Sequence, residues 1–138
     1  MTANDICKQF EGLRLQAYRC PAGVWTIGYG HTHGVYEGMI IEMDMAEKLL
    51  NDDLNKCRQQ VRRLVKIALT ENQFEALIDF CFNLGAGNLK KSTLLKMVNL
   101  DPDDPAIRGE FLKWVKVNNR VMPGLVKRRS AEADLYFT

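Results

Sequence analysis

One stretch of the chain, residues 15–35, has the composition of β-strands, whereas elsewhere apolar residues recur at helical spacing. The stretch is rich in aromatic residues, β-branched residues and glycines, and the run Pro21-Ala22-Gly23 inside it predicts a turn between two short strands. A small sheet of two or three strands is therefore expected among helices. The sequence predicts an α+β fold that is mostly helical, with a β-hairpin near the N-terminus.

The ends of several helices are marked by local signals. Gly12 and Gly85 tolerate the left-handed backbone that often ends a helix, and Thr70 and Gln73 match a capping box at a helix start. Together with the apolar stripes, these signals predict helices ending near residue 11 and over about 44–65, 70–84, 92–99, 105–117 and 123–136.

The length of the chain favours a single domain. With 138 residues, of which 46% are hydrophobic, it can form one sizeable core but not two ordinary ones. We expect one domain over 1–138, in which residues 1–65 form a small lobe with a connecting helix and residues 66–138 a helical lobe. No apolar run is long enough to span a membrane, and the first residues lack the pattern of a signal peptide. The sequence therefore predicts a monomer without stable membrane insertion.

Charge is distributed unevenly along the chain. Residues 1–55 carry 4 Lys and Arg against 8 Asp and Glu, whereas residues 56–138 carry 15 against 9. A basic second half attracts polyanions such as nucleic acid, an anionic membrane surface or peptidoglycan, whose lactyl and peptide groups bear carboxylates. A solvated basic helix face would give the same pattern, so charge alone does not choose among them.

The four cysteines show neither a metal-binding spacing nor a dense disulfide framework. Cys7, Cys57 and Cys81 each fall on an apolar stripe at helical spacing and are predicted to be core residues. Cys20 is the exception, because it lies in the strand-like stretch just before the turn. This usage is typical of a protein made in a reducing cytoplasm.

Three polar side chains flank the predicted hairpin at fixed spacing: Glu11, then Cys20 after eight residues, then Thr26 after five more. Glycoside hydrolysis needs a carboxylic acid to protonate the leaving oxygen and a second group to hold water or attack the sugar. In a hairpin turning about Gly23, residues whose numbers sum to 46 face each other, so Cys20 would lie opposite Thr26. A two-residue turn would send Thr26 to the other sheet face, so this interpretation requires a loop of odd length.

The run EGLRLQAYRCPAGVWTIGYGHT resembles the active-site segment of phage-type lysozymes, glycoside hydrolase family 24. The family pattern is Glu, eight residues, Asp or Cys, five residues, Thr, followed by a G-x-GH element, here Gly28 to His31. Two later runs, NQFEALIDFCFNLGAGNLKKSTLL and GLVKRRSAEADLY, are similar to the family's second-lobe helix and its Arg-rich final helix. The resemblance implies a lysozyme-like fold with an active-site cleft between two lobes.

The resemblance also implies an activity. The expected protein is an endolysin, an N-acetylmuramidase that hydrolyses the β-1,4 bond between N-acetylmuramic acid and N-acetylglucosamine with inversion, without cofactor or metal. Its partner would be peptidoglycan glycan strands rather than nucleic acid. It would wait in the host bacterial cytoplasm until release to the cell wall. Two alternatives stay open: a lytic transglycosylase, and a catalytically inert peptidoglycan-binding module.

The resemblance assigns roles to individual residues. Glu11 would be the general acid, and Cys20 and Thr26 would position the attacking water. A thiolate at Cys20 could also act as base or nucleophile. Candidate substrate contacts are Gly30, His31, Asn83, Ser92, Thr93 and Arg128.

Several of these contacts have a structural alternative. His31 could simply be tied to a carboxylate or a backbone carbonyl, and a metal site with Cys20 lacks a fourth ligand. Ser92 and Thr93 could start a helix instead of binding N-acetyl groups. Arg128 could neutralise the surroundings of the final helix rather than contact the glycan.

Overall fold

The computed structural model describes all 138 residues and has seven helices and two small antiparallel sheets, so the predicted α+β class is confirmed. In chain order the elements are α1 (Ala3–Glu11), β1 (Arg14–Arg19), β2 (Trp25–Gly28), α2 (Met43–Leu64), α3 (Glu71–Leu84), α4 (Ala86–Lys91), α5 (Thr93–Leu100), α6 (Ile107–Phe111), β3 (Lys116–Val117), β4 (Arg120–Val121) and α7 (Pro123–Tyr136). None of the helices combines the length and the apolar character needed to cross a bilayer.

Helix α3 is the centre of the core and packs against α1, α2, α4 and α7. Its Phe80 ring is fully buried and makes edge-to-face contacts with Phe111 and Trp114, at centroid distances of 6.1 and 5.5 Å. Helix α1 also packs against α7. The helix that carries Glu11 therefore packs against α3 and α7. The division into lobes near residue 65 stays a prediction.

Most predicted helix ends are confirmed. Gly12 follows α1 with φ 71°, and at α3 the Gln73 amide donates to Thr70 Oγ1 at 3.1 Å while the Thr70 amide donates to Gln73 Oε1 at 2.9 Å. This reciprocal pair satisfies two backbone amides that a helix start leaves free. Helix α4 is not predicted by the sequence, because Gly85 ends α3 and α4 follows it immediately.

The three cysteines predicted to lie in the core are buried, and all four cysteines are free thiols. Cys7 is fully buried, and its Sγ lies 3.1 Å from Asp79 Oδ1. Cys20 alone lies outside the core.

The predicted register of the first hairpin is wrong by two residues. Thr26 pairs with Tyr18, and the Cys20 amide donates to Val24 O at 3.0 Å, so facing residues sum to 44 rather than 46. The loop is Pro21 to Gly23, and its odd length keeps Cys20 and Thr26 on the same sheet face as diagonal neighbours. The shift arises because the Gly23 amide closes onto Cys20 O at 2.8 Å, which centres the turn on Ala22.

The prediction of one helix over 105–117 is also wrong. Helix α6 covers only Ile107–Phe111, and the chain then forms the β3–β4 hairpin, in which Lys116 pairs with Val121. Asn118 and Asn119 form its turn with φ 50° and 64°. Two consecutive residues with positive φ match the twist of a tight hairpin, and Asn tolerates this conformation better than most residues.

Candidate active site

Glu11 is the last residue of α1, and its side chain is 23% exposed. Its Oε1 accepts a hydrogen bond of 2.8 Å from Nη1 of Arg128, which comes from α7. Arg128 also donates to both carboxylate oxygens of Asp79, from Nε at 3.0 Å and from Nη2 at 2.8 Å. This guanidinium is buried and its donors bind Glu11 and Asp79, so Arg128 holds Glu11, and its contact with substrate stays a prediction.

Behind Arg128 lies a buried pair of carboxyl groups, Asp79 and Glu132. Burial raises the pKa of Glu132 well above its usual value, so it can stay protonated and donate to Asp79. Burial also acts to raise the pKa of Asp79, but hydrogen bonds from Glu132 and Arg128 outweigh it and lower that pKa. Arg129 Nε lies 3.0 Å from Glu132 Oε1 without the alignment of a directed hydrogen bond.

Gly30 lies directly against the second oxygen of the Glu11 carboxylate. A Cβ atom at this position would lie 2.8 Å from Glu11 Oε2, closer than any van der Waals contact allows. Gly30 also has φ +76°, in the left-handed region that favours glycine. Glycine is therefore needed here both for the backbone and for the space that Glu11 occupies.

His31 is buried, and both of its ring nitrogens are engaged. Nδ1 lies 2.7 Å from Asp53 Oδ2 and Nε2 lies 2.8 Å from the carbonyl oxygen of His33. No ring nitrogen is left for a ligand, which favours the alternative that His31 is tied to a carboxylate and a backbone carbonyl, and a substrate contact of His31 stays a prediction. The Asp53 contact fixes the Gly30-His31 segment to α2.

Cys20 and Thr26 lie close to each other on the hairpin. Thr26 is buried, and its Oγ1 donates to Val24 O at 3.0 Å. A backbone hydrogen bond from Val24 lowers the pKa of the Cys20 thiol. Ionisation of Cys20 is thus favoured relative to an ordinary thiol.

Two cavities meet at Glu11 and Asn83, which line both. The first, of about 390 Å³, is called the polar cavity, and its lining includes Glu11, Gly30, His31, Asp53, Lys56 and Asn83. The second, of about 340 Å³, is called the apolar cavity, and its lining includes Phe10, Val117, Met122, Leu125 and Arg128. The structure thus brings Glu11, Gly30, His31 and Asn83 together, whereas Cys20 and Thr26 line neither cavity.

Ser92 and Thr93 are not part of this arrangement. Ser92 is the cap of α5: its Oγ accepts from the Leu95 amide at 3.0 Å and donates to Leu89 O at 2.7 Å. Thr93 is the exposed first residue of α5, and neither residue lines the two cavities. The Ser92 hydroxyl is committed to the backbone, which favours the alternative that these residues start a helix, and substrate binding by either residue stays a prediction. Asn83 Oδ1 accepts from Arg129 Nη2, so its amide group is the part left for a ligand.

Four functional candidates are absent from the sequence prediction: Asp53, Lys56, Asp79 and Glu132. Asp79 carries a signal that could have found it, because it is a carboxylate between Ile78 and Phe80 on the buried side of α3. A charged residue in such a position is almost never buried without a partner. The other three carry no comparable signal.

Comparisons with known proteins match nearly the whole chain. The model described as "Phage lysozyme" matches residues 8–132. An endolysin of Acyrthosiphon pisum secondary endosymbiont phage 1 is 42% identical over 135 residues, which cover 95% of this chain and 92% of that protein. An endolysin of Bacillus phage B103 is 43% identical over 97% of this chain, which spans only 52% of that longer relative.

Solved structures with a closely similar fold also match nearly the whole chain. The muramidase domain of SpmX from Asticaccaulis excentricus has a TM-score of 0.90 at 37% identity, covering 99% of this chain and 95% of that one. An endolysin from Escherichia coli O157:H7 phage FAHEc1 has a TM-score of 0.87 at 34% identity, covering 97% and 89%.

Proposed function

The chain belongs to the phage lysozyme family and is a peptidoglycan-hydrolysing muramidase, and from this premise we propose that it cleaves the β-1,4 bond between N-acetylmuramic acid and N-acetylglucosamine with inversion. The single observation that carries the proposed mechanism is the position of Glu11. Its carboxyl lies where the two cavities meet and is held there by Arg128.

Glu11 is the general acid of this mechanism. One carboxylate oxygen is bound to Arg128 and the other faces Gly30, so the group has a single orientation. A fixed donor beside the scissile oxygen supplies both proximity and acid catalysis. A glycan that lies across both cavities passes over this carboxyl, with one sugar on each side.

Thr26 and Cys20 hold the attacking water. The Thr26 hydroxyl hydrogen is committed to Val24 O, so the oxygen lone pairs are free to accept a hydrogen bond from water. The Cys20 thiolate beside it takes the proton that this water loses. In inverting carboxylate pairs the two groups are roughly 6.5–9.5 Å apart, and a gap of this size is expected between the Glu11 carboxyl and Cys20 Sγ.

The cell wall is the site of action. We propose that the chain acts there as a monomer and reaches the wall from the host cytoplasm when the inner membrane is breached. Sedimentation of the purified protein measures whether it is a monomer.

The reaction is tested on purified peptidoglycan. We expect new reducing ends, and NMR at early times should show the α-anomer at the newly formed end, because water attacks opposite to the leaving group. Anhydro ends in the mass spectrum of the products would identify a lytic transglycosylase instead. The β-anomer would show retention, and no cleavage at all would leave an inert binding module.

Gly30→Ala should lower turnover strongly and the free energy of unfolding only modestly. The new methyl group would displace the Glu11 carboxyl, and a misplacement of about 1 Å can cost about 10² in rate. The positive φ adds a backbone cost of roughly 1–2 kcal/mol. Turnover and urea unfolding measure the two effects.

Gly34→Ala is the matched control for this change. Gly34 has φ +71°, but nothing lies within 4 Å of the position of its Cβ. Gly34→Ala should therefore lose the stability that the positive φ costs in Gly30→Ala and keep the wild-type turnover. Equal turnover in the two variants would contradict the assignment of Gly30 to the Glu11 site.

Cys20→Ser should reduce turnover by about 10² or more, and Cys20→Asp should restore it, since an alcohol is a poor base and a carboxylate is a good one. In the wild-type protein the rate should rise with pH as the thiol ionises. Because the pKa of Cys20 is lowered, the midpoint of this rise should lie below the ordinary thiol value of about 8.5. Rate profiles of the three proteins against pH provide the measurement.

Thiol alkylation gives a further check, since Cys20 should react before the three buried cysteines. A fully active Cys20→Ser protein with an unchanged pH profile would remove the thiol from the mechanism. Thr26 would then hold the water alone.

A further inference from the structure

The two cavities that meet at Glu11 differ in chemistry. Only Cys57 and Phe82 among the residues lining the polar cavity are hydrophobic, whereas Phe10, Val117, Met122 and Leu125 line the apolar cavity. A glycan across Glu11 therefore meets two different surfaces. Since the two sugars of peptidoglycan also differ, this asymmetry can fix the direction of the bound strand.

The polar cavity contains one lysine that has no acidic partner. Its two acids have other contacts: Glu11 accepts from Arg128, which also binds Asp79, and Asp53 contacts the ring of His31. Lys56 lies on α2, is exposed, and takes part in none of the salt bridges of the structure. Its ammonium group is therefore free to bind an anion.

Gln60 follows Lys56 by four residues, so the two side chains lie on the same face of α2, and both line the polar cavity. An ammonium group beside an amide offers a charge and several hydrogen-bond donors to an extended ligand. This pair suits a peptide carboxylate and its neighbouring carbonyl better than an uncharged sugar.

We propose that Lys56 binds a carboxylate of the peptide attached to N-acetylmuramic acid, and thereby places this sugar in the polar cavity and N-acetylglucosamine in the apolar cavity. The inference rests on the proposed function, because it needs a glycan bound across Glu11. In a strand that carries its peptides the lactyl carboxyl is amide-bonded, so the carboxylates of the substrate belong to the peptide, and N-acetylglucosamine carries no charge. Lys56 is thus a specificity residue rather than a catalytic residue.

The test compares two substrates: soluble glycan strands that carry their peptides, and the same strands after an amidase has removed the peptides and left the lactyl carboxylate. The measured quantity is the preference, the ratio of kcat/KM for the two. Lys56→Gln should lower this preference about two- to fivefold, which is the size of an exposed ion pair. The change should appear in KM, because the contact is made before and during the reaction alike.

Two further measurements show whether the charge or the shape of the Lys56 side chain sets the preference. Lys56→Arg should keep the preference, and increasing the salt concentration should weaken the preference of the wild-type protein but not that of Lys56→Gln. Lys96→Gln on α5 is the control, because Lys96 is exposed and lines neither cavity. It should keep the wild-type preference.

The proposal is overturned if Lys56→Gln keeps the wild-type preference, or if the wild-type protein does not prefer strands with peptides. A loss of preference in Lys96→Gln as large as in Lys56→Gln would also overturn it, since the effect would then follow net charge. Failure of the proposed function gives a different result: the wild-type protein would release no reducing ends from either substrate.

Discussion

Glu11→Gln should reduce the rate of peptidoglycan hydrolysis by about 10² to 10⁴ while the protein stays folded. The amide has the same shape as the acid and its oxygen can still accept from Arg128, but it has no proton to give to the leaving sugar. Release of reducing ends measures the loss, and urea unfolding tests the fold.

Glu37→Gln is the control for this substitution, because Glu37 is exposed and lines neither of the two cavities. It should keep full turnover. If Glu11→Gln kept more than about a tenth of the wild-type rate, the contribution of acid catalysis would be too small for Glu11 to be the proton donor.

Arg128→Met should lower the free energy of unfolding by about 3–5 kcal/mol and abolish activity as well. The substitution keeps a long side chain but leaves the fully buried Asp79 without its cationic partner and Glu11 without its support. An unpaired buried carboxylate is far more costly than the loss of a surface ion pair. Denaturant unfolding near pH 7 is the measurement.

The matched control is Arg108→Met. Arg108 also binds a carboxylate, that of Asp134 at 2.7 Å, but both side chains are exposed, at 44% and 71%. Such a pair contributes about 0–1 kcal/mol. Similar losses in the two variants would show that the buried network has no special role in the fold.

The pH dependence of Arg128→Met follows from Asp79. Its pKa is lowered in the folded protein, so the group contributes stability above the ordinary Asp value of about 3.9 and loses it as the pH falls through the folded value. The difference between the wild-type protein and Arg128→Met should therefore shrink as the pH falls below about 4. A difference that is constant down to acid-induced unfolding would argue against the charge pair.

The parts of the fold that could be predicted from the sequence depend on interactions within four residues. The capping box of Thr70 and Gln73, the glycine after Glu11 and the proline at the start of α7 all act on their own helix turn. Local signals of this kind need no knowledge of the rest of the chain. They predicted the ends of the long helices within about one residue.

The errors have a different origin. The register of the first hairpin depends on one hydrogen bond across the loop, and the helix signals over 105–117 compete with the turn signal of Asn118 and Asn119, which prevails in the structure. The role of Arg128 could not be predicted, since its partners Asp79 and Glu11 are 49 and 117 positions away in the sequence. The spacing of Glu11, Cys20 and Thr26 indicates the catalytic residues, but it does not indicate the distant groups that hold the Glu11 carboxyl in place.

The distance in sequence between Glu11 and Arg128 also orders events during translation. The acid leaves the ribosome 117 residues before the arginine that fixes it, a delay of roughly 6 to 25 s at ordinary elongation rates. Helix α3 is synthesised within that interval, but Arg128 is not, so the Glu11 carboxyl lacks the group that fixes its direction until α7 is made. An unfinished chain that ends before α7 therefore contains the acid without the arginine that holds it in position.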